Sequence, residues 1–161
     1  KAQGGVFLDS DERGIFFAKG VLETVKKLNW SPDIVHVNGA LCFMLPLYIK
    51  TLYKDDPAFA DTRVVASVFG EGFSGSLGGH LCEKLAFDSI EEPLLADPTY
   101  ENLTKTCLKY SDAVVVDSPA NAKWVEEIVK SRKLPFLIDP EEQPAGYDQY
   151  AGLYAGILNE E

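Results

Sequence analysis

Four short apolar runs, at residues 33–37, 64–69, 113–116 and 134–138, punctuate a chain whose other segments carry helical spacing. Runs of this length without polar alternation predict strands covered on both faces. Asp9-Ser10-Asp11-Glu12 offers capping groups and acids at a helix start, and Phe16, Phe17, Val21, Leu22, Val25 and Leu28 then recur at helical spacing. Residues 41–54 are helical in pattern but carry Pro46. Proline inside a helix costs about 3 kcal/mol, so a kink or restart is expected there. A helix at residues 77–87 is weakened by Gly78 and Gly79. Residues 100–110 form a better one, with Thr99 or Pro98 near its start, and Ser118 or Pro119 opens another that runs to about Arg132. Residues 147–158 complete the series.

Strands that alternate with helices predict right-handed crossovers and a mostly parallel sheet. The expected fold is therefore α/β, a Rossmann-like doubly wound parallel sheet of about four strands in sequential neighbour order. Residues 1–161 are read as a single domain, and no internal repeat appears. Ligands of such sheets bind beyond the carboxyl ends of the strands. That rule selects Asn38-Gly39, Gly70-Glu71-Gly72, Asp117-Ser118 and Asp139-Pro140.

One of these ends, in Val64-Val-Ala-Ser-Val-Phe-Gly-Glu-Gly-Phe-Ser-Gly75, spells the G-x-G-x-x-G of a dinucleotide turn. In such a turn, backbone N–H groups approach a pyrophosphate and the third glycine packs a regular helix on the strand. Here Glu71 lies between the first two glycines, Gly78 and Gly79 interrupt the following helix, and no strand leads into Glu91-Glu92. The motif reads as a glycine-permissive loop after a strand, not as a cofactor site.

Charge narrows the partners. The net charge is −10, which argues against nucleic acid or an anionic membrane surface. Glu71, Asp117, Asp139 and Glu141 sit at strand ends, with no Lys or Arg immediately beside them. A sugar nucleotide needs cations, helix ends or a metal to offset its phosphates. These ends suit a neutral polyol better, unless another segment supplies the cations. The longest apolar stretch, residues 40–49, is far short of the roughly 20 residues of a membrane span. Cys42, Cys82 and Cys107 have no disulfide-framework spacing and no basic neighbour. A cytoplasmic setting is expected. The first residue is Lys1 and not Met, which fits a segment of a longer chain.

Asn38, Gly39, Glu71, Phe73, Asp117 and Ser118 are thus the sugar-binding candidates: amides and carboxylates for hydroxyls, and a phenyl ring for a pyranose face. His36, inside an apolar run, is a weaker candidate and reads first as a hydrogen-bonded core histidine. His80-x-Cys82 lacks partners at metal-ligand spacing, and no metal or cofactor is expected. Tyr147, Tyr150 and Tyr154 have helical spacing and read as core rather than sugar platforms. A phospho-acceptor receiver domain, also parallel α/β, needs paired acids after its first strand and a lysine after its last. Asn38-Gly39 and Asp139-Pro140 stand there instead.

Four blocks, in this order, resemble the starch and glycogen synthases: D-x-E-R-x-x-F-F-x-x-G-x-L-E (Asp11 to Glu23), W-x-P-D-I-V-H (Trp30 to His36), L-P-L-Y-I-K-T-x-Y (Leu45 to Tyr53) and Y-S-D-A-V-V-V-D-S-P (Tyr110 to Pro119). Their order and spacing match across nearly all of the chain. The resemblance implies a family-5 glycosyltransferase of two-lobed GT-B fold. Such enzymes move glucose from ADP- or UDP-glucose to an α-1,4-glucan, with retention and without a metal. The matching part is the second half of the N-terminal, acceptor-side lobe. It implies α-glucan as the possible acceptor, with the sugar nucleotide bound only when a second lobe is present. A half-lobe also implies an apolar sheet edge, and hence a possible homo-oligomer.

The departures are specific. The family follows its first strand here with H-x-H-D-W-H, where this chain has His36-Val37-Asn38-Gly39-Ala40-Leu41. Leu41 thus replaces the histidine beside the reacting sugar. The family's next strand ends T-I-H-N, against Ser67-Val68-Phe69-Gly70 here. Lys1-Ala2-Gln3-Gly4-Gly5-Val6 imitates the family's phosphate loop but adjoins the first block directly, so the likeness is coincidental. The expectation is a glycosyltransferase lobe that is inactive alone. The alternative is a non-catalytic glucan-binding or scaffolding relative.

Overall fold

A computed structural model describes residues 6–70, 72–139 and 145–159. Four parallel strands form one sheet: β1 (Ile34–Asn38), β2 (Arg63–Val68), β3 (Ala113–Val116) and β4 (Phe136–Ile138), in the order β1-β2-β3-β4. The register places Val37 beside Ala66, Ala66 beside Val114 and Val114 beside Phe136. Fold class, strand positions and neighbour order agree with the sequence pattern.

The six helices are α1 (Ser10–Lys27), α2 (Met44–Lys50), α3 (Leu81–Ala86), α4 (Tyr100–Lys109), α5 (Pro119–Arg132) and α6 (Ala145–Asn159). Strand order never reverses, so right-handed crossovers must all lie on one face of the sheet. That face carries the main core, where Leu22 of α1, Leu47 of α2, Leu85 of α3, Leu103 of α4 and Val125 of α5 pack with Val64, Ala66, Val68, Val114 and Val116. Full burial of a residue such as Leu22 stabilises by roughly 1.5–3 kcal/mol. The opposite face is covered, among the described residues, by α6 alone. Its Ile157, Leu153, Tyr154 and Tyr150 meet Val65, Ala113 and Val115.

Local chemistry sets the helix ends. Thr99 caps α4 by accepting from Asn102 N–H, and Ser118 caps α5 through Asn121 N–H, with Pro119 in the first turn where its missing donor costs nothing. Asp9, by contrast, makes no capping bond on α1; it pairs with Arg13 instead, at 3.0 Å. Pro46 is resolved by a restart: a 3-10 turn (Ala40–Cys42) precedes α2, which places the proline in the first turn of the new helix. The chain leaves α2 after Lys50, so residues 51–54 are turn and not helix.

The spacing on α1 misplaces its buried face. Phe16 is 80% and Leu28 68% exposed, while Gly14, Ala18 and Leu22 face inward. A Cβ on Gly14 would already lie 3.4 Å from Met44. Close approach to α2 selects small residues there, which leaves the bulky ones outside. Buried Asp11 receives Lys84 Nζ at 2.5 Å, joining α1 to α3.

Candidate functional site

The carboxyl ends of the strands converge, and their side chains divide into engaged and available groups. Asp117, the residue after β3, accepts from Gly70 N–H at 2.6 Å and from Asn121 Nδ2 at 2.7 Å. Asn121 also donates to the Gly70 carbonyl at 3.1 Å. The Gly70 N–H, with help from Asn121 and Ser118, holds the Asp117 carboxyl below its ordinary value. Asp117 and Asn121 thus form a clamp between the loop after β2 and the start of α5. Ser118 contributes its hydroxyl oxygen to the α5 cap.

The glycine-rich loop is pinned at several points. Gly72 has φ +75, and a Cβ there would sit 2.4 Å from the Tyr100 ring. Phe73 meets Tyr100 edge-on at 5.5 Å, and Trp124 stacks on Tyr100 at 5.7 Å with an interplanar angle of 8°. Ser76 bridges Thr99, and Leu77 N–H donates to the Pro98 carbonyl at 3.0 Å. The next helix starts only at Leu81. A dinucleotide turn runs from strand into helix at its glycines, and this loop does not. Glu71, a sequence candidate, lies outside the described residues, as do Pro140 and Glu141.

Asn38 and Gly39 are different. Both are exposed, and the Asn38 amide meets no partner among the described residues. Gly39 has φ +88 with open space where a Cβ would stand. Its carbonyl accepts from Cys42 N–H, which starts the 3-10 turn. Leu41, in that turn, is 53% exposed.

His36 lies on the sheet face that α6 covers. Its Nδ1 pairs with Tyr154 Oη and its Nε2 with Ser67 Oγ, both at 2.7 Å. Part of the ring reaches solvent, yet burial of the rest holds its pKa below 6.5. Tyr150 lies 6.1 Å from the same ring and donates to Asp139 at 2.7 Å. Both tyrosines therefore pack on the sheet, as their spacing predicts, whereas Tyr147 is exposed. His80 pairs with Glu83 on the surface, and Cys82 donates to the Glu92 carbonyl at 3.5 Å. Burial raises all three thiols. Among the described residues, no group of three or more His, Cys, Asp or Glu is arranged to hold a metal ion. No helix among them is long and apolar enough to cross a membrane.

Asn121 and Ser67 escaped the sequence reading. Their signal is positional: Asn121 lies one helical turn beyond Asp117, and Ser67 occupies the strand beside His36 on the same face.

Residues 2–134 match the family model of the starch synthase catalytic domain. The chain belongs to the starch synthase catalytic-domain family. It is 31% identical over 159 residues to a glycogen synthase of Elusimicrobium minutum, covering 98% of this chain and 32% of that protein. A glycogen synthase of Chlorobaculum parvum is 33% identical over 154 residues, covering 96% and 31%. One of Thermotoga petrophila is 31% identical over 131 residues, covering 78% and 26%. The chain thus spans about a third of the length of these glycogen synthases. Within the starch-synthase match, the four sequence blocks become α1, β1, α2 and the β3–α5 junction.

Proposed function

We propose that this chain is the acceptor-side part of a starch- or glycogen-synthase-like glycosyltransferase. It binds α-1,4-glucan weakly at the carboxyl end of β1 and transfers no glucosyl unit by itself. The position of Asn38-Gly39 carries the reading. In doubly wound sheets ligands bind where strand order reverses. Here the order runs one way from β1 to β4, so a reversal would belong at an edge strand, and β1 is the edge whose carboxyl end carries Asn38. Asn38 ends that strand and Gly39 follows it; both are exposed, and the Asn38 side chain meets no partner among the described residues. Asp117 and Ser118 follow β3, two strands from β1 at the same end of the sheet, and Phe73 packs edge-on against Tyr100 in the glycine loop.

A hydrogen bond between such groups and a sugar hydroxyl contributes about 1 kcal/mol net. A few of them, less the cost of association, give affinity around millimolar, or roughly −4 kcal/mol. The acidic strand ends disfavour a free sugar nucleotide, whose phosphates require cations from a second lobe. Exposed Leu41, at the position of the family's reacting-site histidine, favours a second reading, a non-catalytic glucan-binding relative.

Two measurements on the purified chain test this. Maltoheptaose should shift the amides of Asn38 and Gly39 in a ¹⁵N-labelled sample more than ADP-glucose does; unmoved amides, or a stronger response to ADP-glucose, overturn glucan binding. No labelled glucose should pass from ADP- or UDP-glucose into glycogen, and steady incorporation overturns the claim of inactivity alone. To separate the two readings, Leu41→His is placed in a full-length polypeptide carrying the donor lobe. Transfer gained only with the histidine supports the non-catalytic relative, and transfer without it supports the synthase lobe.

A further inference from the structure

A cavity of about 340 Å³ opens where the chain leaves α1 for β1, at the end of that strand opposite Asn38. The exit from α1 lines it with Lys26, Asn29, Trp30 and Ser31, and the turn at residues 56–58 supplies the rest. Trp30 is 57% exposed, so the larger part of its surface lies in water. We propose that this cavity binds one hexopyranose ring of a neutral oligosaccharide, stacked on the Trp30 indole.

The indole stands on a fixed backbone. Asn29 lies in the left-handed region at φ 50; its N–H donates to the Lys26 carbonyl at 2.9 Å, and Trp30 N–H donates to the Val25 carbonyl at 3.3 Å. These two bonds close α1 as a Schellman motif, which favours an apolar residue at position 30. The motif accounts for an apolar side chain there, but not for one with more than half of its surface in solvent. The other wall is tied to the helix: Asp56 accepts from Lys26 Nζ at 2.8 Å and from Ala58 N–H at 3.0 Å. Lys26 and Asp56 are the charged lining residues and offset each other, with Glu23 a further 3.6 Å from the same ammonium. An ionic ligand therefore finds no open counter-charge. The groups left over are neutral: the side chains of Asn29 and Ser31 and the Trp30 indole N–H make no hydrogen bond among the described residues. An amide and a hydroxyl both donate and accept, as sugar hydroxyls do. An indole suits a ligand that is apolar on one side and wet on the other, and a pyranose has a C–H face and a rim of hydroxyls. An apolar peptide side chain would use the indole and leave Asn29 and Ser31 unanswered. The volume is at the small end for ligand pockets, which fits one ring with the rest of the oligosaccharide in solvent.

The test is a titration of the ¹⁵N-labelled 161-residue chain with maltotetraose and, separately, cellotetraose, with sorbitol as the open-chain control. The chain has two tryptophans, Trp30 and Trp124, and Trp30→Phe assigns the Trp30 indole N–H signal. That signal and the amides of Asn29, Ser31 and Ala58 should move saturably, with half-saturation in the millimolar range. Trp30→Ala should abolish the saturable shifts at Ser31 and Ala58, with spectra unchanged away from the cavity. Asn29→Gly keeps the left-handed backbone and removes the amide, so it should weaken binding about fivefold, the loss of one hydrogen bond. Tighter binding of maltotetraose assigns the site to α-1,4-glucan; equal binding assigns it to pyranose rings of either linkage. A Trp30 indole that stays still, a linear drift that sorbitol reproduces, or a Trp30→Ala chain that titrates like the parent each overturn the proposal. Asn38 and Gly39 report on the other site in the same spectra. Shifts there beside a still Trp30 overturn this proposal and leave glucan binding at β1 standing, and the reverse pattern overturns that reading alone.

Discussion

The carboxylate of Asp117 and the backbone N–H of Gly70 are 2.6 Å apart, and this bond ties the loop after β2 directly to the end of β3. Asn121 on the Gly70 carbonyl and the Ser76 and Leu77 contacts with residues 98–99 hold the loop elsewhere. A charged acceptor on a backbone donor contributes about 1.5–3 kcal/mol, and solvent access near Gly70 places this bond at the low end. Asp117→Ala should therefore destabilise the chain by about 1–2 kcal/mol in urea denaturation and speed hydrogen exchange at Gly70. Equal stability, with unchanged exchange at that amide, counts against the clamp.

The same bond makes a pH prediction. Gly70 N–H lowers the Asp117 pKa in the folded chain, so the carboxylate form stabilises the fold. That contribution is complete above the unfolded value of about 3.9 and fades as pH falls toward the lower folded value. The stability difference between the parent and Asp117→Asn should then be constant from pH 7 to 5 and shrink below pH 4. A difference that grows on acidification reverses the assigned sign.

His36 works in the opposite chemical sense. Burial lowers its pKa, so the neutral ring is the form the fold prefers. The stability it supplies is present above pH 6.5 and is lost as pH falls through the folded pKa. Facing it are Tyr154, Ser67 and Tyr150, with Asp139 behind Tyr150. Melting temperature should fall more between pH 7.5 and 5.5 in the parent than in His36→Gln. Tyr154→Phe should cost about 1 kcal/mol at pH 7.5 by removing one hydrogen bond. Identical pH profiles for parent and His36→Gln would remove His36 from the acid response of α6.

Gly72 is held by two constraints at once, φ +75 and the Tyr100 ring 2.4 Å from any added Cβ. A left-handed backbone costs a non-glycine residue about 1–2 kcal/mol, and displacing Tyr100 would disturb its stack on Trp124. Gly72→Ala should lose about 2–3 kcal/mol in urea denaturation. Gly39→Ala has open space but φ 88 and ψ 150, a region that non-glycine residues avoid, and should lose about 1–3 kcal/mol, whereas Gly79→Ala, unconstrained on both counts, should be near neutral. Equal losses at all three positions contradict this ordering.

The sheet was legible because Ala113–Val116 is a continuous apolar run and Val64–Val68 is one broken by Ser67, as strands buried on both faces need. The buried face of α1 was not, since hydrophobicity points to Phe16 while packing against Met44 favours Gly14 and Ala18. Spacing reports which residues are apolar, not how near the neighbouring helix comes. Strand ends located the candidate site, yet the pattern could not separate Asp117, whose oxygens are engaged by Gly70 and Asn121, from Asn38, whose amide is uncommitted. Those partners come from other elements, and Asn121 is a helix-surface residue until the fold brings it to Gly70.

That contrast gives the last prediction. Asn38 supports nothing that the fold needs: it is exposed, its side chain meets no partner among the described residues, and its backbone already belongs to β1. Asn38→Ala should leave urea stability within about 0.5 kcal/mol of the parent, as surface changes usually do. If its amide meets a glucan hydroxyl, the same change removes about 1 kcal/mol of binding, which is roughly a fivefold rise in the maltoheptaose dissociation constant. Asp117→Asn keeps the side-chain shape but loses the charge that holds Gly70, so it should lower stability and disturb the loop amides even without sugar. Binding and stability thus move separately at Asn38, whereas Asp117 changes stability whatever it does to binding. Urea curves and maltoheptaose titrations on the two variants read both quantities. An Asn38→Ala chain that binds maltoheptaose like the parent excludes this amide from the sugar contact.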